Sequence, residues 1–212
     1  MKYKVFNLNP SFGTNTYLAW DEATLAACLI DPSAAGEEIL QFIQQHNLKV
    51  NYIINTHAHY DHIGGNKFFQ EKLNIPIYAS PAAAAALVDP QKNLSSYVGN
   101  QLISPAAAKT LADNEILDLG EAKIRIIHTP GHTRGGISLY CQPLLFSGDT
   151  LFAESVGRAD LPGGNMSILI KSIKEKLFCL PETTQVLSGH GPASTIGDEK
   201  VGNPYVGLAA RL

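Results

Sequence analysis

A chain of 212 residues, 45% hydrophobic and 17% charged, can bury a sizeable core and fits one α/β domain better than a disordered polymer. Its formal charge of −3 comes without a basic run, which argues against a nucleic-acid partner, whose phosphates need clustered Lys and Arg. No apolar run approaches the roughly 18 residues of a membrane span, and the N-terminus lacks the features of a secretion signal. Cys28, Cys141 and Cys179 are odd in number and far apart in apolar surroundings, so buried thiols in a reducing cytoplasm are expected.

The first third reads as strands over 3–8, 16–20 and 25–30, separated by turn signals, which predicts a β-meander. Asp31-Pro32-Ser33 breaks the pattern, with Ser33 set to cap a helix. Over 37–45, Ile39, Leu40, Phe42 and Ile43 fall mostly on one face, as an amphipathic helix requires. A strand over 50–54 then delivers the chain into Thr56-His57-Ala58-His59-Tyr60-Asp61-His62-Ile63-Gly64-Gly65. A helix over 66–73, a strand over 75–78 and an alanine-rich helix over 81–88 follow, the last stopped by Pro90. The composition of residues 91–114 suits a loop or short helix at a cleft edge and assigns no role. Further strands are expected at 116–119, 123–127, 137–141, 144–146 and 185–187, with a second amphipathic helix over 167–177. No linker or composition shift divides the chain, so a single domain over 1–212 is expected.

Three of the seven histidines crowd into six positions, beside one aspartate. Imidazole nitrogen and carboxylate oxygen are ligands that Zn, Fe and Mn share. Three other strand ends show a similar arrangement. The strand over 123–127 leads through Thr129-Pro130-Gly131 to His132, that over 144–146 through Ser147-Gly148 to Asp149, and that over 185–187 through Ser188-Gly189 to His190. Rigid strands aim such loop residues at one point. Seven candidates result: His57, His59, Asp61, His62, His132, Asp149 and His190. That is too many for one tetrahedral ion and suits two. His57 and His59 are two apart on an extended segment and can share an ion. Asp61 and His62 fall where a helix starts and diverge, which suits a neighbouring ion better than the same one; capping that helix is the lesser alternative for Asp61. An aspartate such as Asp149 can bridge two ions with its two oxygens. Gly64 and Gly65 would let this turn pack closely against the opposite half. His46 reads as a surface residue at a helix end, and His128 as a hydrogen-bonded residue near the site rather than a ligand.

The His-X-His-X-Asp-His run at 57–62, with His132, Asp149 and His190 downstream in order, resembles the metallo-β-lactamase superfamily. The stretches Thr129-Pro130-Gly131-His132-Thr133, Ser147-Gly148-Asp149-Thr150, Gly157-Arg158-Ala159-Asp160-Leu161-Pro162-Gly163-Gly164 and Gly189-His190-Gly191-Pro192 are similar to the short type II glyoxalase-like hydrolases. The resemblance implies an α+β fold, an αββα four-layer sandwich of two mixed sheets flanked by helices. It also implies a dinuclear centre, with His57, His59 and His132 on one ion, Asp61, His62 and His190 on the other, and Asp149 bridging. The ions implied are two divalent metals, zinc first, with iron or manganese as alternatives. Full-length glyoxalase II enzymes carry a C-terminal helical domain that contacts glutathione, and this sequence lacks a matching segment.

The activity implied is hydrolysis of a small-molecule thioester such as S-lactoylglutathione by a hydroxide held between the ions, in a cytoplasmic enzyme with no membrane or nucleic-acid partner. Asp61 would orient the nucleophile and take its proton. A thiol, with pKa about 8.5, departs without a general acid, which favours thioesters and esters over amides. Tyr60 and Arg158 are candidate substrate contacts, although a packed aromatic and a surface ion pair describe them equally well. Two alternatives remain: a mononuclear iron persulfide dioxygenase of the same superfamily, using His57, His132 and Asp149, and a metal-binding protein without catalysis.

Overall fold

The computed structural model describes residues 1–208 and 210; the expected domain end at 212 lies outside them. The meander expected at the start is present as β1 (Lys2–Phe6), β2 (Thr16–Trp20) and β3 (Ala26–Ile30), each antiparallel to the next. β4 (Lys49–Ile54), β5 (Ile77–Ala79) and β6 (Lys109–Thr110) then add in parallel, making a mixed six-stranded sheet. The parallel additions need crossovers, and helices supply two of them: α1 (Glu37–Gln45) before β4, and α2 (Tyr60–Ile63) with α3 (Asn66–Leu73) before β5. The alanine-rich segment forms α4 (Pro81–Leu87), which ends before Pro90.

The second sheet is also six-stranded. β7 (Ile116–Leu119), β8 (Ala122–His128), β9 (Ile137–Cys141) and β10 (Leu144–Gly148) run antiparallel in sequence. A hairpin of β11 (Leu151–Phe152) and β12 (Ser155–Val156) and a helix, α5 (Met166–Ser172), intervene. β13 (Gln185–Ser188) then pairs parallel to β10, β14 (Ser194–Thr195) closes the edge, and α6 (Ile196–Gly202) follows.

Both faces of each sheet are covered, and the pleat explains how. Side chains alternate along a strand, so in β3 Cys28 and Ile30 meet Ile126, Leu139 and Phe146 of the second sheet. Leu29 points the other way and packs with Ile53 and Ile77 under Ile39, Phe69 and Leu87 of α1, α3 and α4. On the far side Ile127, Leu145 and Val186 pack under Leu169 of α5, Ile173 and Leu177. The layers are therefore helix, sheet, sheet, helix, as expected. No helix among the described residues is long and apolar enough to cross a membrane.

Several local expectations need correction. Ser33 does not cap α1, whose N-cap is Gly36 with no side-chain bond. The Ser33 hydroxyl instead accepts a hydrogen bond from Thr16 at 3.2 Å. The helix expected over 167–177 is α-helical only to Ser172 and continues as a π-type turn, Ile173–Leu177. Leu169, Ile173 and Leu177 are spaced by four, and the wider turn offsets the drift that α-geometry gives to that spacing, so all three stay buried. Cys28 and Cys141 are buried as expected, but Cys179 is exposed near the helix end. Gly64 and Gly65 pack against Ser33 and Ala34 of the same half, where a Cβ would run into the two carbonyls, and not against the opposite half. Residues 91–114 hold a 3-10 turn, Ser95–Val98, and the short strand β6.

Candidate metal centre

The four strand ends singled out in the sequence do converge. β4 releases residues 55–59, α2 carries Asp61 and His62, β8 leads to His132, β10 to Asp149, and β13 to His190. His57, His59 and His132 offer ligand atoms that all lie within 4.8 Å of one another, and so do Asp61, His62 and His190. Asp149 lies between the groups. Its Oδ2 is 3.6 Å from His132 Nε2 and 3.5 Å from His190 Nε2, and its Oδ1 is 3.3 Å from His62 Nε2. Gly189 keeps this space open, because a Cβ there would collide with the Asp149 carboxylate.

Hydrogen bonds at the back of the rings fix which nitrogens face inward. His132 Nδ1 donates to the Arg158 carbonyl at 2.6 Å, His190 Nδ1 to the Phe12 carbonyl at 3.1 Å, and His62 Nδ1 to Asp31 at 3.0 Å. A carbonyl only accepts, so in a neutral ring each corresponding Nε2 presents a lone pair to the centre. Yet His62 Nε2 and His190 Nε2 stand 3.3 Å apart, and His132 Nε2 is 2.9 Å from His59 Nδ1. Two lone pairs that face each other repel unless a proton or a cation lies with them. His57 Nε2 and Asp149 Oδ1 are buried and have no hydrogen-bond partner among the described residues. Orphaned buried groups of this kind are rare because they are costly. A donor set of imidazoles and carboxylates around such orphans fits a pair of divalent cations.

The two groups differ in charge. Burial, helped by the charge of His62, holds His57 well below the ordinary imidazole value, and burial beside His132 pulls His59 down to about 3. His190 moves the other way. Burial opposes its charge, but hydrogen bonds to Asp149 and Asp61 outweigh that and raise it to about 9. Burial opposes the charge of His62 as well, but the negative charges of Asp149 and Asp61 outweigh it and hold His62 well above the ordinary imidazole value. Burial would lift both carboxyls, but the neighbouring histidines hold Asp61 at about 2 and Asp149 well below the usual carboxylate range.

Three contributors have no counterpart among the sequence candidates. Asp31 is 2% exposed and accepts from the Thr56 amide at 2.7 Å and the Thr56 hydroxyl at 2.5 Å, besides orienting His62. The Thr14 hydroxyl donates to Asp61 at 3.1 Å. Asn15 holds the segment before β2 against the end of β13 through the Ser188 and Gly191 carbonyls. Tyr60 and Arg158 both line the cleft above the histidines, which measures about 240 Å³. Tyr60 meets Phe12 edge-on, and the Arg158 guanidinium is paired with Asp160 through two 3.0 Å bonds. His46 is exposed and stacks on Phe42, and half-buried His128 donates to the Leu111 carbonyl at 2.9 Å, away from the centre.

A family model for the metallo-beta-lactamase superfamily matches residues 10–190, which contain all seven of these side chains. The chain belongs to that superfamily. Among its relatives, the probable metallo-hydrolase YqgX of Bacillus subtilis is 36% identical over 209 residues, 97% of this chain and 98% of the relative. The hydroxyacylglutathione hydrolase GloC of Haemophilus influenzae is 31% identical over 207 residues, 92% and 94% of the two chains. Among solved structures, the BLEG-1 B3 metallo-beta-lactamase superposes with a TM-score of 0.91 at 37% identity, covering 97% of this chain and 99% of that one. TTHA1623, solved in a di-iron-bound form, does so with a TM-score of 0.83 at 33% identity, covering 95% and 99%. Membership of this metallo-hydrolase superfamily supports a hydrolase, and the histidine and aspartate groups fit a dinuclear metal site.

Proposed function

We propose that this superfamily member is a dinuclear metal-dependent hydrolase of thioesters, S-lactoylglutathione or a close relative. The observation that carries the reading is the pair of ligand groups joined by Asp149. In it His57, His59 and His132 hold one divalent ion, Asp61, His62 and His190 hold the other, and Asp149 serves both. Zinc suits this nitrogen and oxygen set, as do iron and manganese. The likeness to GloC, named a hydroxyacylglutathione hydrolase, supports the choice of substrate class.

Two such ions supply an activated water at neutral pH and polarise a carbonyl. The chain's own residues do the rest. His132, His190 and His62 are held in one tautomer by the Arg158 carbonyl, the Phe12 carbonyl and Asp31, so no ring has to turn during turnover. Asp61 stays ionised, and its Oδ2, anchored by Thr14, accepts a hydrogen bond from the nucleophile and orients it. Orientation of the nucleophile through this anchored oxygen is the role assigned to Asp61. The acyl group sits in the cleft bounded by Tyr60, Leu94, Phe152 and Leu161. The departing thiolate needs no acid, which matches a cleft whose lining includes no lysine and one arginine already bound to Asp160.

The decisive measurement pairs metal content of the purified protein with two assays, S-lactoylglutathione hydrolysis and oxygen uptake on glutathione persulfide. About two ions per chain with hydrolysis supports the reading. One iron per chain with oxygen uptake and no hydrolysis overturns it in favour of a dioxygenase, and metal without either activity favours a binding protein.

A further inference from the structure

Beside the metal centre lies a larger cleft, about 400 Å³, that the reaction described above leaves unused. His59 lines both clefts, so they meet at that ring. The floor of the larger cleft is α4. Ala83 and Leu87 of this helix enter the core, while Ala82 and Ala85 are exposed along the cleft. Any longer side chain at those two positions would occupy the volume that alanine leaves free.

The opposite wall is the turn that follows His132. Its position relative to α4 is fixed by Ser80, whose hydroxyl accepts from the Ala83 amide at 3.2 Å and donates to the Gly135 carbonyl at 2.6 Å. Arg134 projects from this turn and is exposed. The carboxylates of the two segments bordering the cleft are already taken, Asp89 by Lys92 at 3.0 Å and Asp160 by Arg158 at 3.0 Å. Arg134 therefore keeps an unanswered charge among the described residues. A largely apolar trough whose lining includes both a histidine of the candidate centre and an uncompensated guanidinium matches a ligand with an apolar stem and an anionic group.

We propose that this cleft receives the thiol arm of the substrate, and that Arg134 binds a carboxylate or phosphate carried on that arm. The proposal rests on the thioester reading, in which the smaller cleft takes the acyl group and the larger arm needs a larger channel. Cleavage leaves the arm as a thiolate whose anionic group is still held, so the free thiol also competes with substrate.

Binding can be tested apart from turnover with two inert probes on the zinc-loaded full chain. S-methylglutathione carries carboxylates and desulfo-coenzyme A carries phosphates, and titration calorimetry on each tells the two sources of negative charge apart. At least one probe is expected to bind, with affinity lowered roughly ten- to a hundredfold in Arg134→Glu. Ala85→Leu fills the floor from an exposed helical position that leucine tolerates, and is expected to weaken the same probe. Lys171→Glu makes the same charge change on α5 and leaves binding as it was. In turnover, Arg134→Glu raises KM for S-lactoylglutathione far more than KM for the uncharged N-acetylcysteamine thioester. Absence of binding by either probe, or equal binding by Arg134→Glu, overturns the proposal. Arg134-dependent binding in a chain that hydrolyses no thioester keeps the anion cleft and removes the hydrolase reading instead.

Discussion

The two halves of the candidate metal centre solve the same problem in opposite ways. His57, His59 and His132 form a set of nitrogens that are at most 6% exposed, with no carboxylate of their own, and burial keeps His57 and His59 uncharged. Neutral imidazole is the form that binds a metal, so His57 and His59 are ready for an ion without losing a proton. Asp61, His62 and His190 form a mixed set whose His190 side chain is 28% exposed, and its histidines hold protons against the carboxylates. There a cation must replace protons that already neutralise the carboxylates. The difference teaches that burial tunes one half toward ligand readiness, while ionic pairing ties occupancy of the other half to pH.

Removal of the residue common to both halves should have the largest effect. Asp149→Ala takes away both oxygens that reach His62, His132 and His190. Metal content should fall well below two per chain, and hydrolysis by roughly a thousandfold or more, given the several kcal/mol that such metal centres supply. A variant that kept two ions and near-normal turnover would show that Asp149 joins nothing. Asp61→Ala attacks the ionic half alone. About one ion per chain should survive, held by the three buried histidines, with turnover down by roughly a hundredfold or more. Loss of both ions in this variant would erase the distinction between the halves.

Much of this arrangement was legible in the chain because it follows strands. β4, β8, β10 and β13 are short apolar runs that each end at a turn, so His57, His132, Asp149 and His190 could be compared as equivalents before any contact was known. Asp31 escaped that comparison. In Asp-Pro-Ser it reads as a turn residue, and its importance lies in Thr56 and His62, 25 and 31 positions away. The same holds for Phe12 and Thr14, whose partners His190 and Asp61 belong to distant elements. β11, β12 and β14 are two residues long, too short for any periodicity to show. The capping role expected of Ser33 failed because the helix starts only at Glu37, which leaves Ser33 three residues before the N-cap, where its hydroxyl accepts from Thr16 of the neighbouring strand. What the sequence left hidden is mostly what long-range hydrogen bonds decide.

Asp31 sharpens the comparison because it acts on the ionic half through His62. Asp31→Asn keeps the size but removes the carboxylate that fixes the ring. Metal affinity should drop by roughly ten- to a hundredfold, the usual effect of losing such an outer partner. Chelator competition reads this directly, and the loss should fall on one of the two ions. An equal loss at both would mean that Asp31 supports the Thr56 turn as a whole through its two bonds there.

The mildest perturbation is proton concentration. In chelator-stripped protein His190 titrates at about 9, above the ordinary 6.5, so the stability it contributes is fully present below pH 6.5 and is lost as pH rises through 9. The melting temperature of stripped protein should therefore fall between pH 7 and pH 9.5. Metal-loaded protein should not share that fall, because the ion then occupies the place of the proton. Uptake of the second ion at pH 7 should release protons from His190 and His62 into buffer, whereas His57 and His59 have none to release. Calorimetry in buffers of different ionisation enthalpy separates the two events. Equal proton release at both steps would refute the claim that burial and ionic pairing prepare the two halves differently.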